Sequence, residues 1–326
     1  MAQLYFPFSH SLNRSWVSIK GPDTQDFLHR LTTVHVRALQ VGEGANGFFL
    51  TPMGKIRVFF TLWNLAQDEY AFELDAGSGD SAGKWTKELL TTIDQFTFAE
   101  NITVTDITAV GGDALSTVWL FWDDSGLEAF HTKAMNFKGA DIRLCNHGNL
   151  DFGRTWISAW STTAQLEEWL TSLPSSVILD DAILNQWRVQ AVRPKIDSEI
   201  TQNAIPLEIG LREGIADNKG CYPGQEVIEK IIALGSPARR LVRIDLPTLA
   251  NEVSSADPAV GSKIFNLAEP PVEVGQVTSI SRTPQGTSIL AIVRKIHALE
   301  KMPVQVETSV PSSKAQGTIV HIAPYA

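Results

Sequence analysis

Residues 217–230 read DNKGCYPGQEVIEK and contain Cys221, one of the two cysteines in the chain. A thiol reacts as its thiolate, so its neighbours decide whether it can be used. Lys219 stands two residues before it, and a helix is expected to start a few residues after it. A cation and a helix N-terminus both favour the anionic sulfur. Gly220 has no side chain to shield that sulfur. The alternative is a cysteine packed as a small hydrophobe beneath a turn. The local sequence leaves both open, with Cys221 and Lys219 as the candidate reactive pair.

The elements that would position this pair can be read on either side of it. Tyr222-Pro223-Gly224-Gln225 has Pro to preset φ at the first central position and Gly to accept positive φ at the second. In QEVIEKIIALG, Val227 with Ile231 and Ile228 with Ile232 are spaced for one buried helix face, and Glu226 with Lys230 is a favourable i,i+4 pair. Gly235 and then Pro237 should end that helix. Toward the N-terminus, WVSIKG (16–21) predicts a strand, followed by a helix opened at Pro22-Asp23 and carrying Phe27, Leu28 and Leu31. Residues 47–63 predict a hairpin turning at Thr51-Pro52-Met53-Gly54, with a further strand at 70–76 and a helix at 84–93. Between 101 and 190 the pattern gives strands near 116–122 and 155–160, then helices at 164–173 and 180–192. From about 240 onward, short β-rich pieces alternate with Gly, Pro and Ser turns, the pattern of a small barrel or sandwich.

The bulk properties are those of a globular chain: 326 residues, 44% hydrophobic and 19% charged. The formal net charge is −9 and there is no long basic run. That argues against a broad grip on nucleic acid, although Arg239-Arg240 offers a local basic site. No signal sequence is evident, and no apolar stretch approaches the roughly 20 residues of a membrane helix. A cytoplasmic monomer with reduced thiols, away from the membrane, is expected. Cys145-Asn146-His147 offers two metal ligands on an expected loop, too few for a closed zinc site. No metal is therefore expected, and Cys145 is read as structural.

KGCYPGQE (219–226) resembles the signature K-G-C-[YF]-x-G-Q-E of the YgfZ family of folate-binding proteins, relatives of the glycine-cleavage T-proteins. GPDTQDFLHRLTTVHV (21–36), TPMGKI (51–56) and VGQVTSISRTPQGTSILAIV (274–293) extend the resemblance over most of the chain. It implies an α+β fold of two ferredoxin-like α+β domains plus a C-terminal small antiparallel β-barrel. The expected boundaries are 1–100 for a first folate-binding domain, with 180–240 available to complete it, 101–180 for the second and 241–326 for the barrel.

The resemblance also implies tetrahydrofolate as the cofactor and iron–sulfur proteins or their assembly machinery as partners, including cluster enzymes that modify tRNA. Trp187 occupies the family's Gln-Trp position as a pterin contact, with Trp16 as a second. Glu208 suits the aminopyrimidine edge, and Arg239 and Arg240 suit the glutamate tail. Gln225 and Glu226 would fix the turn over Cys221. T-proteins carry a carboxylate shortly after the glycine turn, whereas Lys55-Ile56-Arg57-Val58-Phe59-Phe60 has none. The alternative, a folate-dependent aminomethyltransferase-like one-carbon transferase, therefore lacks its acid/base group.

Overall fold

The computed structural model describes residues 8–324, leaving out positions 13, 78–80, 111–112, 123–127, 139, 151–153, 174–176, 179, 248–256, 285 and 311–312. The chain divides into two compact units. The first comprises Met1–Leu50, Arg57–Asp180 and Glu213–Pro223; the second comprises Thr51–Ile56, Asp181–Arg212 and Gly224–Ala326.

The first unit opens with β1 (Phe8–Leu12), β2 (Arg14–Lys20), α1 (Thr24–Leu31), β3 (Gly44–Leu50), β4 (Ile56–Ala66), β5 (Glu69–Asp75), α2 (Lys84–Phe96) and β6 (Thr103–Asp106). It continues with β7 (Ala109–Val110), β8 (Asp113–Trp122), β9 (Thr132–Phe137), β10 (Ala140–Leu150), β11 (Arg154–Thr162), α3 (Thr163–Ser172) and β12 (Val177–Ile178). These strands form a five-stranded sheet in the order β3-β4-β5-β2-β6, and a larger sheet in the order β12-β1-β8-β11-β10-β9 with β7 paired to β8.

Helical spacing decides what the helices bury. α2 turns Trp85, Leu89 and Ile93 inward, one face at i, i+4 and i+8. α3 lays Leu166 and Trp169 on Ile142, Leu144, Ile157 and Ala159 of the larger sheet. Asp23 opens α1 as expected, but its carboxylate accepts the Asn101 amide at 2.7 Å rather than capping its own helix. Trp16, Trp63 and Ala71 of the smaller sheet pack with Cys145 of β10.

The second unit contains α4 (Asp181–Gln190), α5 (Gln225–Ala233) and six strands: β13 (Arg239–Pro247), β14 (Lys263–Phe265), β15 (Glu273–Thr283), β16 (Gly286–Arg294), β17 (Pro303–Glu307) and β18 (Lys314–Ile322). The strands close into an antiparallel barrel in the order β13-β16-β15-β14-β17-β18. Closure removes sheet edges, and inward Val, Ile and Leu at alternate positions fill the interior. The α+β class and the C-terminal barrel are thus as the family resemblance implied, and of the barrel or sandwich that the strand pattern left open the chain forms the barrel.

Two local expectations are corrected. Cys145-Asn146-His147 lies on strand β10, not on a loop, and all three residues are buried. In α5 only Ile228 is fully buried, while Ile231 is half-buried and Ile232 is exposed.

Candidate functional site

Asn218 and Gly220 both take positive φ, 53° and 95°, on either side of Lys219. The chain reverses around Lys219, so its side chain turns inward (the residue is 5% exposed) while Cys221 stays exposed. A Cβ at Gly220 would meet nothing within 4 Å, so the space beside the thiol is open.

Beneath this surface the Lys219 Nζ donates to the His29 carbonyl at 2.6 Å and lies 4.8 Å from the Tyr222 ring centroid. Among the described residues no carboxylate pairs with Lys219. Burial, opposed by Cys221 and reinforced by Arg37, brings its ammonium down to about 8, as desolvation of an unpaired cation requires. His29 packs edge-on against His35 with centroids 5.0 Å apart, and the Nδ1 atoms of both rings are buried without a hydrogen-bond partner. His29 is shifted down too, by burial first and then by Lys219 and its other cationic neighbours. The arrangement is an exposed thiol two residues from a buried amine.

The residues expected around a folate are dispersed in character. Trp16 has no exposed surface; its indole stacks on Trp160 at 4.5 Å and donates to the Thr117 hydroxyl. Trp187 is half-buried on α4 and is the expected aromatic contact that keeps open surface. Glu208 and Arg239, expected at opposite ends of folate, bind each other through two hydrogen bonds of 3.1 and 2.9 Å. Arg240 donates to the Ala323 carbonyl at 2.7 Å. Gln225 and Glu226 form the first turn of α5 directly after the Gly224 turn.

No family model matches the chain. A chloroplastic protein of Arabidopsis thaliana is 23% identical over 261 residues, 77% of this chain, and the chain spans 58% of that protein's length. The tRNA-modifying protein YgfZ of Aliivibrio fischeri is 25% identical over 286 residues, covering 85% of this chain and 81% of its own. In three dimensions the glycine cleavage system aminomethyltransferase T of Bartonella henselae superposes with a TM-score of 0.77. That match covers 99% of this chain and 87% of the other, at 15% identity. The chain is a YgfZ relative on the aminomethyltransferase fold.

Beyond KGCYPGQE, the geometry adds residues that sequence reading does not reach. His29 is 190 positions from Lys219, and nothing local announces that contact. The buried carboxylate of Glu73 is another. Its Oε2 accepts from Trp63 Nε1 at 3.0 Å and from Ser158 Oγ at 3.2 Å, and lies 3.3 Å from His147 Nε2. Burial alone would raise this carboxyl, but the His147 charge and hydrogen bonds hold it down to about 2. Among the described residues no His, Cys, Asp and Glu cluster is arranged to hold a metal. The 55–60 run has a structural role: Arg57 pairs with Glu88 at 2.7 Å, and Val58 and Phe60 are buried.

Proposed function

We propose that this chain is a tetrahydrofolate-binding accessory protein for iron–sulfur cluster assembly or repair, serving cluster enzymes such as those that modify tRNA. Cys221 is its working thiol and Lys219 the buried amine that accompanies it. The observation that carries this reading is the opposed placement of the two side chains. The lysine is interred with no carboxylate partner among the described residues, and the cysteine is presented. A packing role for Cys221 would bury the sulfur instead.

In thiol exchange the Cys221 thiolate attacks one sulfur of a partner's disulfide. A mixed disulfide forms, the partner's S–S bond breaks, and the leaving sulfur takes the electron pair and then a proton. The partner must come from outside the chain, because Cys145 is sealed in the core with its thiol raised by burial and by the Glu73 charge. Trp187 fits a stacking role toward a pterin, since its indole keeps open surface on α4. Folate supplies the flat heterocycle and, in its reduced forms, a carrier for one-carbon units. A one-carbon transferase remains the weaker reading, for want of a carboxylate in residues 55–60.

Alkylation of the native protein by iodoacetamide tests the thiol: Cys221 should react faster than free cysteine at neutral pH. Equal or slower reaction, or full rescue of a deletion strain's cluster-enzyme activity by Cys221→Ser, overturns the proposal. Tetrahydrofolate should quench tryptophan fluorescence, and Trp187→Ala should weaken that response; an unchanged titration removes Trp187 from the site.

A further inference from the structure

The second unit contains a cavity of about 390 Å³ whose character differs from that of a pterin site. Its walls are the 198–204 loop, the turn bearing Glu208, and strands β13, β15 and β16. Among the described residues no aromatic side chain lines it, so it offers no stacking face to a pterin. Hydroxyls and an amide from Ser198, Thr201, Asn203 and Thr278 face it instead.

The lining holds three acids and two arginines, and two of the acids pair with cations outside it, Arg188 and Lys263. Each of its acids has its own cation. Glu199 takes Arg188 at 3.3 Å and also accepts from Ser279 at 2.6 Å. Glu208 takes the Nε and Nη2 of Arg239, and Glu273 takes Lys263 at 3.0 Å. Arg294 is left over: it is exposed at the wall and makes no ion pair among the described residues. It also stands directly opposite Arg239 in the β13–β16 register. Like charges directly opposite on neighbouring strands repel, and an oxyanion between them would turn that repulsion into two attractions. Arg239 commits Nε and Nη2 to Glu208, which fixes its plane. A guanidinium fork suits carboxylate and phosphate alike.

We propose that this cavity is a binding site for a small, non-aromatic molecule bearing a carboxylate or phosphate, with Arg294 as the anion contact and Arg239 beside it. The neighbouring hydroxyls and the Asn203 amide hold the polar remainder. The site belongs to the second unit alone and stands independently of folate binding.

Calorimetric titration of the full chain at low ionic strength, with succinate and with inorganic phosphate in separate arms, tests it. At least one probe should saturate, and the arm that binds more tightly identifies the anion. Arg294→Gln should weaken that binding by about tenfold or more, as expected for a lost charged hydrogen bond. Arg282→Gln, which removes an exposed barrel arginine paired with Asp257, should leave it unchanged. Saturation by neither probe overturns the proposal, as does an equal loss in both variants. Fluorescence titration with tetrahydrofolate should be the same in Arg294→Gln and wild type; a parallel loss would make the cavity part of a folate site and overturn its independence.

Discussion

Gly54 and Gly224 face each other at close range: a Cβ on Gly224 would lie 3.1 Å from the Gly54 Cα and 2.5 Å from the Thr51 carbonyl oxygen. The turn at 51–54, closed by Gly54 N donating to Thr51 O at 2.9 Å, thus meets the turn that starts α5. Gly224 has φ 83° and ψ 0°, the third-residue geometry of a type II turn. Gly224→Ala should therefore cost about 2–3 kcal/mol, from left-handed strain and the collision together. Urea unfolding of the variant beside wild type measures it, and a loss within error would mean that the two turns can part freely.

Lys219→Met should stabilise the protein at neutral pH while slowing alkylation of Cys221. The folded-state value of about 8 lies below the ordinary 10.5, so the unfolded chain holds the proton more tightly. The penalty is complete below about 8, and stability climbs as pH rises from there toward 10.5. With each unit worth about 1.4 kcal/mol, the gain is up to about 2 kcal/mol once the lost bond to His29 is counted. Thermal unfolding at two pH values should show the climb in wild type and not in the variant.

Glu73 predicts the opposite behaviour in acid. Its folded value of about 2 lies below the ordinary 4.5, so its contribution is present above 4.5 and is lost as pH falls through 2. Glu73→Gln should flatten that part of the stability profile and cost about 3 kcal/mol or more near neutrality, by leaving His147 without its acid. An acid-unfolding midpoint unmoved by the substitution would show that other carboxylates govern it.

Two positions one turn apart on the same face of α5 should differ sharply. Ile228→Ala opens a hole at a fully buried position and should cost about 2–4 kcal/mol. Ile232→Ala, at a position 38% exposed, should cost less than about 1 kcal/mol. Denaturant midpoints of the two variants provide the comparison.

Periodicity and turn chemistry reveal much of this molecule. The barrel strands alternate, α2 and α3 repeat at helical spacing, and Pro223-Gly224 names its own turn. β9 and β10 escape notice because ADIRLCNHGNL places Cys145, Asn146 and His147 inside, so polar residues occupy positions where alternation would show apolar ones. A buried acid explains His147, but Glu73 lies far away in sequence. The same holds at the candidate site. The flanking glycine and turn leave an exposed and a packed Cys221 equally open, and the burial of Lys219 involves His29, 190 positions away. The Glu208–Arg239 pair is invisible for a similar reason: each residue alone has a plausible ligand, and only the fold shows that they hold each other.

The sealing of Cys145 has a practical consequence. Because the second sulfur lies in the core among Trp16, Trp63 and Ala71, the unmodified chain behaves as a single-cysteine protein. A maleimide-linked spin label or fluorophore would attach at one known position, on the open side of Gly220, with no need to engineer other thiols away. Reporter mobility and emission would then track whatever docks beside Cys221, in a protein that needs no substitution to carry its own probe.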